Sequence, residues 1–170
     1  MIEEERTYLA KFIPVGLADC KQKELFDIYY PKETAHPHLR LRQRGEVFEM
    51  TKKHRVRPDD ASSLVEQTIE LTKEEFAALA KADGKRVRKI RHYLEHKGRT
   101  LEVDVFQDDL SGLVLIDAEF ETEEAKLSFE MPDFCLVEVT QEDFLAGGML
   151  CGKGYQDIEE NLVKFGYSKL

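Results

Sequence analysis

Six stretches of the chain place two or more like-charged side chains at positions of one parity, two apart in five of them and four apart in Glu66/Glu70. Four rows are acidic: Glu3 with Glu5, Glu66 with Glu70, Glu102 with Asp104, and Asp117 with Glu119 and Glu121. Two are basic: Arg40, Arg42 and Arg44, and Lys89 with Arg91. Residues two apart on a strand point to the same face, so each row becomes one line of like charge. Carboxylates spaced this way sit about 7 Å apart. Their repulsion is roughly 0.6 kcal/mol per pair in water and larger near protein. Rows like these either face solvent or hold a cation.

An ordinary solvated sheet face accounts for parity alone, but such a face mixes its charges. Segregation by sign, strand by strand, suggests a polar lumen with an acidic wall and a basic wall. Carboxylates on one wall suit Mg2+ or Mn2+, hard cations that prefer oxygen ligands. Guanidinium and ammonium groups on the other suit phosphate oxygens. Together they could clamp a polyphosphate, and phosphoryl transfer needs little beyond positioning and charge stabilisation.

The elements that must carry these rows are strands joined by hairpins. Alternation predicts strands over 2–12, 24–30, 38–44, 47–53, 64–71, 85–96, 99–106, 113–121 and 135–140. In 47–53, Met50 and Lys52 share a side. Residues 31–37 and 54–62 lack an apolar period and read as loops. Gly45 with Glu46 and Lys97 with Gly98 read as tight turns. Thr72 and Glu75 form a capping box that opens a helix to about 82, and Thr122 caps a short helix to about 129. A third short helix is expected to start near Thr140. The amphipathic stretch 155–165 ends at Gly166 and is expected to pack on the barrel exterior; a position across one mouth is the alternative. Strands of this number and order can close into a barrel.

Composition sets the outer bounds. With 170 residues, 42% hydrophobic and 35% charged, the chain reads as one soluble domain. No apolar run reaches membrane-span length and the N-terminus does not read as a signal peptide. A net charge of −9 argues against bulk binding of nucleic acid or anionic membrane. Cys20, Cys135 and Cys151 are widely spaced and odd in number, which suits reduced thiols in the cytoplasm. P-loop, HExxH and GxSxG signatures are absent. His36, His38, His92 and His96 lie near no cysteine cluster and read as surface or core histidines.

Several of these motifs, in this order, resemble the CYTH family, also called triphosphate tunnel metalloenzymes. Glu3-x-Glu5-x-Thr7 resembles ExExK, Arg40-Leu-Arg42 resembles RxR, and Lys52 falls where the next strand has lysine. Glu66 and Thr68 stand where ExE is frequent, and Lys89-Ile-Arg91 resembles KxR. Glu102-Val-Asp104-Val-Phe106 is close to ExDxF, Asp117-Ala-Glu119 resembles AExE, and Glu138-Val-Thr140 matches EVT. The resemblance spans roughly residues 1–140.

It implies an α+β, mainly β, fold: a closed antiparallel eight-stranded barrel with flanking helices. Glu3, Glu5, Asp117, Glu119 and Glu138 would hold Mg2+ or Mn2+ or position water. Arg40, Arg42, Arg44, Lys52, Lys89 and Arg91 would bind phosphates; Glu66, Glu102 and Asp104 would complete the substrate site, the last two by orienting the basic side chains or helping with metal. Glu5, Arg40, Lys52, Lys89 and Arg91 are the catalytic candidates. The implied activity is metal-dependent hydrolysis of inorganic triphosphate or a small organic triphosphate, by a monomer or homodimer. A class IV-type adenylate cyclase and a non-catalytic polyphosphate-binding module are the alternatives. Thr7 in place of the signature lysine is the sequence feature that favours the module.

Overall fold

A computed structural model describes residues 2–170, with side chains from Glu4 onward. Strands β1 (Ile2–Ala10), β2 (Lys21–Tyr30), β3 (Leu39–Arg44), β4 (Val47–Arg57), β5 (Asp60–Leu71), β6 (Lys85–His96), β7 (Arg99–Phe106), β8 (Val114–Phe120) and β9 (Cys135–Glu138) form one antiparallel sheet. Its order is β5-β4-β3-β2-β6-β7-β8-β1-β9, and β5 also pairs with β1. Eight strands therefore close into a barrel, and β9 extends from β1. Closure leaves none of the eight as a free edge.

Local chemistry explains the connections. Lys97 and Gly98 both take positive φ, 49° and 78°, as the two central residues of the β6–β7 hairpin. Positive φ at both positions is the I′ geometry, whose twist matches that of the strands. The β4–β5 hairpin differs from the sequence reading. Residues 54–62 are not a loop: β4 runs to Arg57 and β5 starts at Asp60, so only two residues turn. The apolar period fails there because the inner face lines a charged lumen and the outer face is exposed and mostly polar, not because pairing stops. The Thr72 box is formed, with Thr72 Oγ1 accepting from Glu75 N and Thr72 N donating to Glu75 Oε2. It opens α1 (Lys73–Leu79), shorter than the expected run to 82. Thr122 caps α2 (Glu123–Leu127).

The C-terminal stretch corrects a second expectation. It folds as α3 (Gly147–Leu150), a turn of 3-10 helix at Tyr155–Asp157, and α4 (Glu159–Lys164). Leu150, Tyr155, Ile158, Leu162 and Tyr167 join one buried cluster with Leu9, Val87, Phe106 and Leu115. Those four share strand parity with the lumen residues Thr7, Lys89, Asp104 and Asp117. The stretch thus packs against the apolar far end of the lumen, not along the flank. Each fully buried aliphatic contributes about 1.5–3 kcal/mol. This end is therefore a firm floor, and the polar lumen is a cup above it.

Candidate active site

Register shows how the walls arise. Tyr29, Asp27 and Leu25 on β2 stand opposite Arg40, Arg42 and Arg44 on β3. On the neighbouring pair, Arg42 meets Glu49 and Arg40 meets Thr51. Lys53 then meets Glu66. Across the barrel, Arg91 pairs with Asp104, Glu102 with Asp117, Thr7 with Asp117 and Glu5 with Glu119. All of these side chains except Leu25 line one cavity of about 500 Å3. That volume falls in the range of small-molecule sites.

On the basic wall, Arg42 is clamped. Its Nε and Nη2 donate to Asp27 Oδ1 and Oδ2, both at 2.7 Å, and the two residues are 7% and 2% exposed. Burial pushes the Asp27 carboxyl up, but the Arg42 guanidinium outweighs it and holds it down at about 2. Arg40 is different: among the described residues it forms no ion pair, and its Nε is buried without a hydrogen-bond partner. Arg44 lies 3.6 Å from Glu49, and its Nε is likewise buried and unpartnered. Lys53 pairs with Glu66 at 3.0 Å, and Glu66 also accepts from Thr68 at 2.7 Å.

On the opposite wall Asp104 is wholly buried and takes both Nε and Nη2 of Arg91 at 2.7 Å, as well as Lys89 Nζ. Burial raises its carboxyl, yet the Arg91 and Lys89 cations prevail and keep it far below the usual range. Lys89 is pulled below its ordinary value, chiefly by burial and then by Arg91 and Arg42, against the pull of Asp104. Arg91 also binds Glu102 and lies 3.6 Å from Asp117. Asp117 is pushed up, first by burial and then by the charge of Asp104. Thr7 Oγ1 donates to Asp117 Oδ1 at 2.7 Å and partly offsets that push. Where the signature lysine would bring a charge, Thr7 brings a hydrogen bond.

Nearer the rim, Glu5 and Glu119 stand directly opposite each other. Like charges so placed are destabilising without a cation nearby. With Asp117 they form the oxygen-rich side of the cavity, and this donor set fits a hard divalent ion. Among the described residues no three carboxylate, imidazole or thiol groups converge on one point. An ion held here would take its other ligands from water and phosphate oxygens, which is the habit of Mg2+. The side chain of Glu3 lies outside the described residues.

Of the expected site residues, the cavity brings together Glu5, Arg40, Arg42, Arg44, Glu66, Lys89, Arg91, Glu102, Asp104, Asp117 and Glu119. Two expectations are corrected. Lys52 is exposed and faces outward, because pairing of Thr51 with Arg40 puts residues 49, 51, 53 and 55 inside. Glu138 is exposed and sits by Arg6, 3.6 Å away, on the face opposite Glu5 and Thr7. It accepts from Thr140, whose Oγ1 in turn receives Thr7 N–H. The sequence reading missed Asp27 and Lys53. Asp27 was findable, since it alternates with the apolar Phe26 and Ile28. For Lys53, only the register of the hairpin decides between two adjacent lysines.

Comparison with known proteins adds to this geometry. The chain is 33% identical over 144 residues to an inorganic triphosphatase of Nitrosomonas europaea, covering 84% of this chain and 91% of the relative. No family model matches. The crystal structure of the inorganic triphosphatase NE1496 superposes with a TM-score of 0.64 at 29% identity, over 89% of this chain and 95% of the other. A putative adenylate cyclase from Bacillus halodurans superposes with a TM-score of 0.54 over 99% of this chain and 91% of its own, and at 17% identity it shares the fold alone.

Proposed function

The chain belongs to the family of the Nitrosomonas europaea inorganic triphosphatase, and we propose that it is a CYTH-type enzyme that hydrolyses inorganic triphosphate with Mg2+ or Mn2+. The observation that carries the reading is Arg40. It is a guanidinium lining the lumen, without an ion pair among the described residues, across from a wall of carboxylates. Such a group is poised for an anion that is not part of the chain.

Bound triphosphate would lie between the walls. Arg40, Arg42 and Arg44 would take non-bridging oxygens on one side, and Lys89 and Arg91 on the other. Asp27 and Asp104 keep Arg42, Lys89 and Arg91 in place before substrate arrives, so little reorganisation is left for the reaction. A divalent ion held by Glu5, Asp117 and Glu119 would draw charge from the phosphoryl oxygens. Attack by water forms a bond to the terminal phosphorus as the bridging P–O bond breaks. The bridging oxygen keeps the electron pair on the departing diphosphate, and the proton of the water passes to solvent.

No helix of the described chain is long and apolar enough to cross a membrane. The three thiols are unpaired, which supports a reducing compartment such as the cytoplasm. The direct test is phosphate release from triphosphate, ATP and thiamine triphosphate, each with Mg2+, with Mn2+ and with chelator. Metal-dependent release from triphosphate is expected. Cyclic AMP with diphosphate from ATP would mark a cyclase, and binding without turnover a non-catalytic module.

A further inference from the structure

A lysine is seldom buried, because its ammonium loses water, and one that is buried has partners that hold it. Lys126 on α2 is 5% exposed and lines no part of the lumen. Its Nζ donates to Glu4 Oε2 at 2.5 Å and to Ser62 Oγ at 2.8 Å. The other Glu4 oxygen accepts from Ser63 Oγ at 2.8 Å. Phe129, just past α2, packs on Tyr8 of β1 and Phe120 of β8. One lysine on the outer surface thus ties together β1 through Glu4, β5 through Ser62, and β8, which leads through Thr122 into α2. It does so where the barrel is joined most thinly. Among the described residues β1 and β5 share three pairs, Ile2–Val65, Glu3–Leu64 and Glu4–Ser63, whereas β1 and β8 share six. The sequence is also ambiguous at this seam. Glu3, Glu4 and Glu5 are consecutive, so charge alone does not decide which of them face the lumen. A one-residue shift exchanges the faces of a strand. It would bring Glu4 inside and turn Glu5 away from Glu119.

We propose that Lys126 is a positioning residue for the metal-binding side of the site: by taking Glu4 on the outer surface it keeps Glu5 on the inner one, opposite Glu119. Glu5 and Glu119 repel each other until a cation arrives. Turning Glu5 outward would relieve that repulsion and spoil the site. The ion pair opposes the turn, because withdrawal of Glu4 would leave a buried ammonium without its carboxylate. A buried ion pair adds little stability over an apolar pair of the same size, and fixing register is its best-attested use. The lysine is itself held from the β5 side: Ser62 Oγ, which accepts from it, donates to Asp60 Oδ1 at 2.7 Å. Further along β1, Tyr8, Leu9 and Ala10 are fixed by burial, so only the end that carries the glutamates depends on this anchor. Lys126 touches neither ion nor substrate and acts through the strands.

This inference rests on the reading of the chain as a triphosphatase with a divalent ion. Its test is Mn2+ binding without substrate, followed as free Mn2+ by electron paramagnetic resonance. The proteins are wild type, Lys126→Met, Glu4→Gln and Thr72→Ala. The last removes the α1 cap, lines no part of the cavity and controls for lost stability alone. Lys126→Met should weaken Mn2+ binding about tenfold and Glu4→Gln about threefold or more. Thr72→Ala should stay within about twofold of wild type although its melt falls. The Mg2+ concentration for half-maximal phosphate release should rise in step with the Mn2+ constants, while KM for triphosphate at saturating Mg2+ stays within about twofold. Lys126→Met with wild-type affinity for Mn2+ overturns the inference. So does an equal loss in Thr72→Ala, which would make the effect one of stability. Wild type that neither binds Mn2+ nor releases phosphate overturns the triphosphatase reading itself, and this inference with it. Should Lys126→Met not fold, Glu4→Gln decides alone, because the amide keeps the shape of the side chain and an acceptor for Lys126.

Discussion

Arg42 and Asp27 form a bidentate ion pair inside the barrel, with two 2.7 Å bonds and almost no solvent contact. A buried charge without its partner costs far more than the intact pair contributes. Asp27→Asn should therefore destabilise the fold by about 3 kcal/mol or more. At about 2–4 °C per kcal/mol for a chain of this size, thermal melting will show it. Asparagine keeps a hydrogen-bond acceptor, so the chain should still fold at room temperature. Arg42 would lose its fixed direction, and KM for triphosphate should rise more than kcat falls. A melt within 1 °C or so of wild type would mean that the pair is not under strain when broken.

Arg40 sits two residues from Arg42 on the same face, yet its circumstances are opposite. It forms no ion pair among the described residues and its Nε is unpartnered, so the fold depends on it far less than on Arg42. Arg40→Ala should leave the denaturation midpoint within about 0.5 kcal/mol of wild type. Its kcat/KM should fall by about two orders of magnitude, some 2.7 kcal/mol of transition-state stabilisation. Arg42→Ala should lose both stability and activity. Equal stability losses for the two arginines would remove the distinction between a residue kept for substrate and one held by the fold.

Strand parity made the walls legible before any coordinates. Arg40/Arg42/Arg44, Lys89/Arg91 and Asp117/Glu119 all fell on the lumen face, because each row alternates with clear apolar residues such as Leu41, Ile90 and Ala118. The reading failed where that contrast is missing. Apart from Val56, residues 51–57 are polar on both faces, so neither the length of β4 nor the inward lysine could be read. Glu138 matched a motif, but β9 joins the outside of β1 and turns it away. The floor was illegible for another reason: Leu150, Ile158 and Leu162 look the same whether they cover a flank or a mouth, and only tertiary packing separates the two.

The two adjacent lysines give a clean test of that register. Lys53 lines the cavity beside Glu66, whereas Lys52 is exposed on the outer face. Lys53→Ala should lower kcat/KM for triphosphate at least tenfold, about 1.4 kcal/mol. Lys52→Ala should stay within twofold. The same steady-state assay reads both, and a reversed order would place β4 one residue out of register, since a one-residue slip exchanges the faces.

The buried carboxylates also set a stability window in acid. Asp27 is held at about 2 against an ordinary 3.8, because Arg42 overcomes the burial that would raise it. A depressed carboxyl stabilises the fold fully above its unfolded value and loses that contribution as pH falls toward the folded one. For Asp27 the loss runs from about pH 4 to pH 2, and 1.8 units correspond to about 2.5 kcal/mol. Asp104 acts in the same direction and is lost at lower pH still. Asp117 has the opposite sign: its raised carboxyl, due to burial and then to Asp104, is relieved on protonation, so stability holds or rises slightly between neutral pH and about 4. Urea denaturation at pH 7, 4.5 and 2.5 should show a plateau followed by a drop of a few kcal/mol. At pH 2.5 about a third of that contribution is still present, so in Asp27→Asn the drop should shrink by about 1.5 kcal/mol. Wild type as stable at pH 2.5 as at 4.5, or a variant with an undiminished drop, would show that Asp27 carries no charge in the folded lumen.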